Sequence, residues 1–285
     1  MILVTGATGT IGSDVVRQLA ARGEKVRALS RDPARARVPS GVETVPGHHR
    51  DRASVEAAMA GAEAAFLVGV FGPDDAEHDR GLVEAAQAAG VRRIVKLSSI
   101  GTGDPDLGVF ATWHMPGEQA ARDSGLEWTV LRPSSFASNT LAWAAAVREG
   151  TPAPNMMGDG RQGVVDPRDV AEIAVAALLD PGHAGRTYIL TGPETLSAHE
   201  QAAVLAEVLG RPVPLHDFSS EERREQLLAA GLGETYADSL MAAARFIQEG
   251  GNDVVTEDVP EVLGRPARTY REWAGDHRDA FAPAD

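Results

Sequence analysis

A strand, a glycine turn and a helix open the chain, and that order constrains the fold more than any other stretch. Residues 1–4 are apolar, Thr5-Gly-Ala-Thr-Gly-Thr-Ile-Gly-Ser13 follows, and residues 14–20 have helical spacing. Gly6, Gly9 and Gly12 recur every three residues. One glycine lets the backbone turn at the strand end, a second lets a phosphate approach it, and a third lets helix and strand pack closely. The helix start then offers unpaired N–H groups and a partial positive charge to a pyrophosphate. Glycine spacing alone is weak evidence; the strand before it and the helix after it supply the required context. The contacts expected of such a loop fall on Gly6, Thr8, Gly9, Thr10, Ile11 and Gly12.

Strands and helices alternate after this opening. Apolar runs predict strands at 25–30, 42–46, 64–68, 93–98 and 128–132, and again at 187–190. Residues 64–68 are continuously apolar, as in a strand buried on both faces. Helices are expected at 51–60, 74–89 and 116–124, with a short one at 31–37 that Asp32 would cap and Pro33 would begin. Such alternation implies a doubly wound parallel sheet with helices on both faces. The rhythm loosens after Pro133: 138–149 and 166–179 read as helices and 151–163 as a loop. Ser197 with Glu200, and Thr269 with Glu272, have capping-box spacing. A short strand at 213–218 and a mainly helical remainder complete the chain. The expected division is a nucleotide-binding domain over 1–133, its sheet completed by about 161–190, and a smaller, mainly helical substrate-binding part over 134–160 and 191–285.

With 285 residues the chain can bury a core without disulfides, and it has no cysteine. Thiol nucleophiles and thiolate metal sites are therefore excluded. A net charge of −14 argues against nucleic acid or an anionic membrane as partner. No apolar run approaches the length of a membrane span and no signal peptide is evident, so a soluble cytoplasmic protein is expected. A homodimer is compatible with these numbers.

In a dinucleotide site, an acid that binds the adenosine ribose belongs at the end of the second strand. Ser30-Arg31 stands there instead, and an arginine fork pairs with the oxygens of a 2′-phosphate. Arg35 or Arg37 could assist, so NADP(H) is favoured over NAD(H). Asp32 opposes this if it binds a ribose instead of capping a helix.

Further motifs follow in a specific order: Ser30-Arg-Asp-Pro33, Val91-Arg-Arg-Ile-Val-Lys-Leu-Ser-Ser99, Ser124-Gly-Leu-Glu-Trp-Thr-Val-Leu-Arg-Pro133, Asp166-Pro-Arg-Asp-Val-Ala171, Leu190-Thr-Gly-Pro-Glu-Thr-Leu-Ser197 and Leu263-Gly-Arg-Pro266. Together they resemble the NmrA-like branch of the atypical short-chain dehydrogenases/reductases, and within it the NADPH-dependent quinone reductases. The resemblance covers nearly the whole chain. It implies a Rossmann sheet holding NADP(H), with Ser98 and Ser99 beside the nicotinamide and Pro133 and Phe136 approaching cofactor and substrate. One departure is Gly47-His48-His49, where the family usually has an acid near the adenine. A His-His pair without an identified third ligand predicts polar loop residues, not a metal site.

Mainstream members of the superfamily use Tyr-x-x-x-Lys as a proton donor. The two lysines here, Lys25 and Lys96, have no such spacing to Tyr188, Tyr236 or Tyr270. Where the motif would stand, the chain reads His114-Met-Pro-Gly-Glu118, with the i, i+4 spacing retained. In the functional reading His114 donates a hydrogen bond or proton to the substrate oxygen and Glu118 orients it. The alternative is that His114 caps the helix and Glu118 complements its positive end. His78, His183, His199 and His216 read as solvated.

Phe71, Phe110, Trp113, Phe136, Trp143, Met156 and Met157 fall at expected strand ends or in the irregular segment. Ligands bind at those carboxyl ends, so these side chains are candidates for a flat apolar substrate wall. Packing within the fold is the competing explanation. Hydride transfer to a quinone-like or conjugated carbonyl compound, such as an aromatic metabolite, needs no strong acid and fits this inventory. The rivals are a dinucleotide-binding redox sensor without turnover and a cofactor-bound isomerase or cyclase.

Overall fold

The computed structural model describes residues 1–70 and 72–282. The first half alternates β1 (Ile2–Val4), α1 (Thr10–Ala21), β2 (Val26–Ser30), β3 (Glu43–Pro46), α2 (Arg52–Met59), β4 (Ala64–Leu67), α3 (Ala76–Ala88), β5 (Arg93–Leu97), α4 (Met115–Asp123) and β6 (Glu127–Pro133). The second half contains α5 (Ala144–Glu149), β7 (Ala153–Asn155), β8 (Gln162–Gly163), α6 (Pro167–Leu179), β9 (Arg186–Leu190), β10 (Thr195–Leu196), α7 (Ala198–Leu209), β11 (Leu215–Asp217), α8 (Ser220–Ala229), α9 (Glu234–Gln248), α10 (Asp258–Leu263) and α11 (Tyr270–Asp276).

The chain divides into two compact units, one of 1–103, 111–133 and 167–189, the other of 104–110, 134–166 and 190–285. The first unit is built on a sheet of order β3-β2-β1-β4-β5-β6-β9, with β1 to β6 all parallel. Strand alternation sends Leu3, Leu29, Ala65, Leu67 and Ile94 into one buried cluster with Val55, Met59, Leu82 and Ala121 from α2, α3 and α4. On the other face α1 packs with α6, whose Val170, Ile173, Ala174 and Leu178 are buried.

The second unit has its own core. Trp143, Val147, Leu205, Tyr270, Trp273 and Phe281 cluster there, with Trp273 stacked on Tyr270. Both predicted capping boxes form, at Ser197/Glu200 and Thr269/Glu272, and a third closes the start of α8 at Ser219/Glu222.

Three expectations are corrected here. No helix forms at 31–37; Arg35 and Ala36 donate to the carbonyls of Asp32 and Pro33 in a turn. The segment has no apolar face to bury and runs into Pro39, which disfavours helix in the residue before it. Segment 151–163 is not all loop: β7 pairs with β11 and β8 with β10. Residues 104–110 and 161–166 group with the second unit, not with the sheet.

Candidate active site

The dinucleotide cradle begins at Thr5, whose Oγ1 receives the N–H of Val68 at 2.7 Å and so ties the ends of β1 and β4 together. Gly6 then turns with φ +60°, a conformation that favours glycine. A Cβ on Gly12 would lie 2.1 Å from the Gly6 carbonyl oxygen, so α1 and the loop approach as closely as a glycine allows. Gly9 stands at the N-cap of α1 with no side-chain cap, Thr8 and Thr10 are exposed beside it, and the first turn holds no acid. The helix therefore presents open N–H groups and positive potential, as a pyrophosphate requires. This sterically enforced cradle fits a dinucleotide.

At the end of β2, Arg31 is exposed and has no ionic partner among the described residues. Asp32 does not cap a helix; its carboxylate lies 3.7 Å from Arg35 and its N–H donates to Ser30 Oγ. Arg35 and Arg37 are also exposed. In the loop after β3, His49 Nε2 lies 3.1 Å from Asp75 Oδ1, and Arg50 Nε donates to the same oxygen at 2.6 Å. Burial lowers the His49 pKa despite that carboxylate. Asp75 is 1% exposed, so a buried acid does stand near this loop, supplied by the segment after β4. No group of three or more metal-ligating side chains occurs among the described residues.

His114 and Glu118 both sit at the start of α4, His114 as its N-cap residue. They do not form the expected orienting pair. The Glu118 carboxylate accepts Ser98 Oγ (2.5 Å) and Arg132 Nε (2.8 Å) on Oε1, and Arg132 Nη2 and Arg122 Nη2 (both 2.7 Å) on Oε2. Two cationic side chains and a hydroxyl saturate it, leaving nothing for the imidazole. Burial alone would raise its pKa; the bonds from Arg132, Ser98 and Arg122 outweigh burial and hold it at about 2. Glu118 is thus a fixed anion that joins β5, β6 and α4.

His114 Nδ1 is buried without a hydrogen-bond partner, although the residue as a whole is only half-buried. Desolvation, reinforced by the charge of Lys96, lowers its pKa to about 3. Both causes favour the neutral ring, which suits His114 to hydrogen-bond donation from its one N–H.

Beneath this corner lies an ion pair that the sequence reading does not anticipate. Lys96 Nζ on β5 meets Asp79 Oδ2 on α3 at 2.7 Å, both side chains 0% exposed. Gly117 caps it: a Cβ there would lie 2.0 Å from Asp79 Oδ2 and 2.5 Å from Lys96 Cε. Burial nevertheless raises the Asp79 pKa.

Among the other expected contacts, Ser98 is buried and its hydroxyl is committed to Glu118. Ser99 is half-buried, and the Pro133 carbonyl accepts the N–H of Ile100. Trp113 is buried in the first unit. In the second unit Phe110, Met156 and Met157 are half-buried, as is Phe136, which bridges to Val165. Trp143 is a core residue and not a wall: it is 8% exposed, packs in the Tyr270 cluster and donates Nε1–H to the Pro154 carbonyl. Phe71 lies outside the described residues. His183 and His199 are not simply solvated; they meet Tyr188 OH at 2.8 Å and Asp217 at 3.0 Å.

Fold and cradle together define a dinucleotide-binding protein of the Rossmann class. Residues 6–181 match the NAD(P)H-binding family, and the chain belongs to it. Over 285 aligned residues, 99% of this chain and 100% of the other, it is 44% identical to the (4-alkanoyl-5-oxo-2,5-dihydrofuran-3-yl)methyl phosphate reductase of Streptomyces griseus subsp. griseus. It is 37% identical to the NAD(P)H azoreductase of Xenophilus azovorans, with both chains fully covered. The crystal structure of the NADPH-dependent quinone oxidoreductase 2 of Escherichia coli with NADPH superposes with a TM-score of 0.83 at 28% identity, covering 97% of this chain and 99% of that one. The resemblance to NmrA-like quinone reductases read from the sequence is borne out at family level.

Proposed function

We propose that this protein is an NADPH-dependent reductase of conjugated carbonyl or quinone-like small molecules. The observation that carries the reading is a combination. The cradle is complete, the Tyr-x-x-x-Lys pair needed for reversible alcohol oxidation is absent, and a neutral imidazole holds its place. Bound NADPH supplies a hydride. The neutral His114 N–H stabilises the oxyanion that develops on an unsaturated carbonyl or quinone, and solvent supplies the final proton. Glu118, fixed by Arg122 and Arg132, holds the start of α4 against β5 and β6 and is a positioning residue.

Similarity to a phosphate-bearing dihydrofuranone reductase, an azoreductase and a quinone oxidoreductase supports electron-poor unsaturated acceptors over simple ketones. Arg31, exposed and unpaired at the end of β2, supports NADP(H) over NAD(H). Among the described residues no helix is long and apolar enough to cross a membrane, and we place the protein in the cytoplasm. The test is NADPH oxidation with a panel of quinones, azo compounds and unsaturated lactones, repeated with NADH and with Arg31→Ala. Turnover should favour NADPH, and Arg31→Ala should narrow that preference by roughly tenfold, the size of one lost charge-assisted contact. An unchanged cofactor preference would remove Arg31 from the site.

A further inference from the structure

The strand order of the first unit reverses between β1 and β4, and a dinucleotide lies across that switch point with its adenosine ribose at the end of β2. The next strand outward is β3, and its end is tied to that of β2. Ser30 and Pro46 are in register, and the Gly47 N–H donates to the Ser30 carbonyl at 3.0 Å. The cradle, Arg31 and the loop from β3 to α2 all belong to this one unit. The base attached to that ribose therefore has the β3–α2 loop as its neighbour.

The loop is held in one conformation. A Cβ on Gly47 would lie 2.5 Å from Leu29 Cδ1 and 2.8 Å from Ser54 Oγ, so the chain leaves β3 pressed against α2. Ser54 Oγ accepts the His48 N–H at 3.1 Å, and the His48 carbonyl accepts the Asp51 N–H at 2.8 Å. The His48 ring is fixed as well. Its Nδ1 accepts the Arg50 backbone N–H at 3.1 Å. A backbone N–H can only donate, so the ring carries its proton on Nε2. The His49 ring backs it at 4.2 Å between centroids and is itself held by Asp75, which also accepts from Arg50 Nε. Nε2–H of His48 has no partner among the described residues, and the residue is half-buried. The loop thus offers one donor of fixed direction beside the place of the base. Adenine carries acceptors on its ring nitrogens, whereas its exocyclic amino group is a donor.

We propose that His48 binds the adenine of NADP(H) by donating its Nε2–H to a ring nitrogen. His49 and Asp75 are positioning residues that keep this imidazole in place. The assignment rests on dinucleotide binding and not on turnover.

The test is calorimetric titration of the full chain with NADP+ and with 2′,5′-ADP, which carries the adenosine half alone. His48→Leu should weaken both ligands alike, by roughly tenfold, the size of one lost hydrogen bond. His48→Gln keeps a side-chain N–H and should recover most of the loss, whereas His48→Asp, which only accepts, should not. Unchanged affinity in His48→Leu overturns the proposal, as does a loss seen with NADP+ but not with 2′,5′-ADP. Full binding by His48→Asp overturns it too, because the loop would then be reading the amino group. If the variants do not fold, imidazole NMR of the wild type decides the case. The histidine whose ring shows proximity to the Arg50 N–H should have its Nε2–H signal shifted by 2′,5′-ADP, and an unmoved signal overturns the proposal. If no acceptor oxidises NADPH, the reductase reading fails while these titrations still decide His48.

Discussion

Replacing Glu118 by Gln perturbs the corner where three elements meet. The carboxylate is 1% exposed and accepts four hydrogen bonds, from Ser98, Arg122 and Arg132. Its pKa falls from 4.5 to about 2, against the upward pull of burial. That fall corresponds to about 3 kcal/mol in favour of the ionised, folded state. Arg122 and Arg132 are 35% and 22% exposed, and solvent screening reduces this to about 2 kcal/mol. Glutamine also turns an NH2 group toward donors that need an acceptor, so Glu118→Gln should cost about 2–3 kcal/mol in all. For a chain of this size the melting temperature should fall by about 3–5 °C. The pH dependence is equally specific. The folded-state pKa lies below the unfolded one, so the contribution is present above about pH 4.5 and lost as pH falls toward 2. Thermal melts by circular dichroism between pH 7 and pH 3 should show the two proteins converging in acid. A melting temperature within about 1 °C of wild type at pH 7, or a gap that does not narrow in acid, would refute the reasoning.

Gly12→Ala places a Cβ against the Gly6 carbonyl and should weaken NADPH binding about tenfold or more, read by quenching of protein fluorescence; unchanged affinity would contradict the cradle. His114→Ala should lower kcat/KM about 100-fold. Because burial and the Lys96 charge lower the His114 pKa to about 3, kcat/KM of the wild type should show no inflection from this residue between pH 5 and 8, and one near 6.5 that disappears in His114→Ala would contradict this. Lys96→Met strands the buried Asp79 and should destabilise by about 3–5 kcal/mol in urea unfolding, whereas Lys96→Met with Asp79→Leu should recover most of it; equal losses in both would show that the lost charge pair is not the cause.

Local signals made most of the fold legible. The glycine turn, the apolar strands and the two capping boxes depend on residues within a few positions of each other, and each forms where the spacing places it. The turn at 31–37 misleads because Asp-Pro begins both turns and helices, and only the missing apolar face separates them. Within the site, the i, i+4 spacing of Glu118 and Arg122 is readable, but Arg132 and Ser98 reach Glu118 from two other strand ends. The Lys96–Asp79 pair joins a strand to a helix and leaves no spacing signature beyond a lysine inside an apolar run. Arg223 sits in Glu-Glu-Arg-Arg, a run that reads as a solvated helix face, and only the packing of the second unit buries it. Trp143 errs the other way: aromatics near strand ends suggest a ligand wall, whereas the second unit needs its own core.

The central claim is that this chain transfers hydride from NADPH to an unsaturated acceptor. The direct measurement uses NADPH dideuterated at C4 and an unsaturated lactone, whose product retains a new carbon–hydrogen bond. Mass spectrometry of the product should find one deuterium on carbon for each NADPH consumed. Product without label, as an isomerase would give, or tight NADPH binding with no oxidation by any acceptor, as a sensor would give, contradicts it.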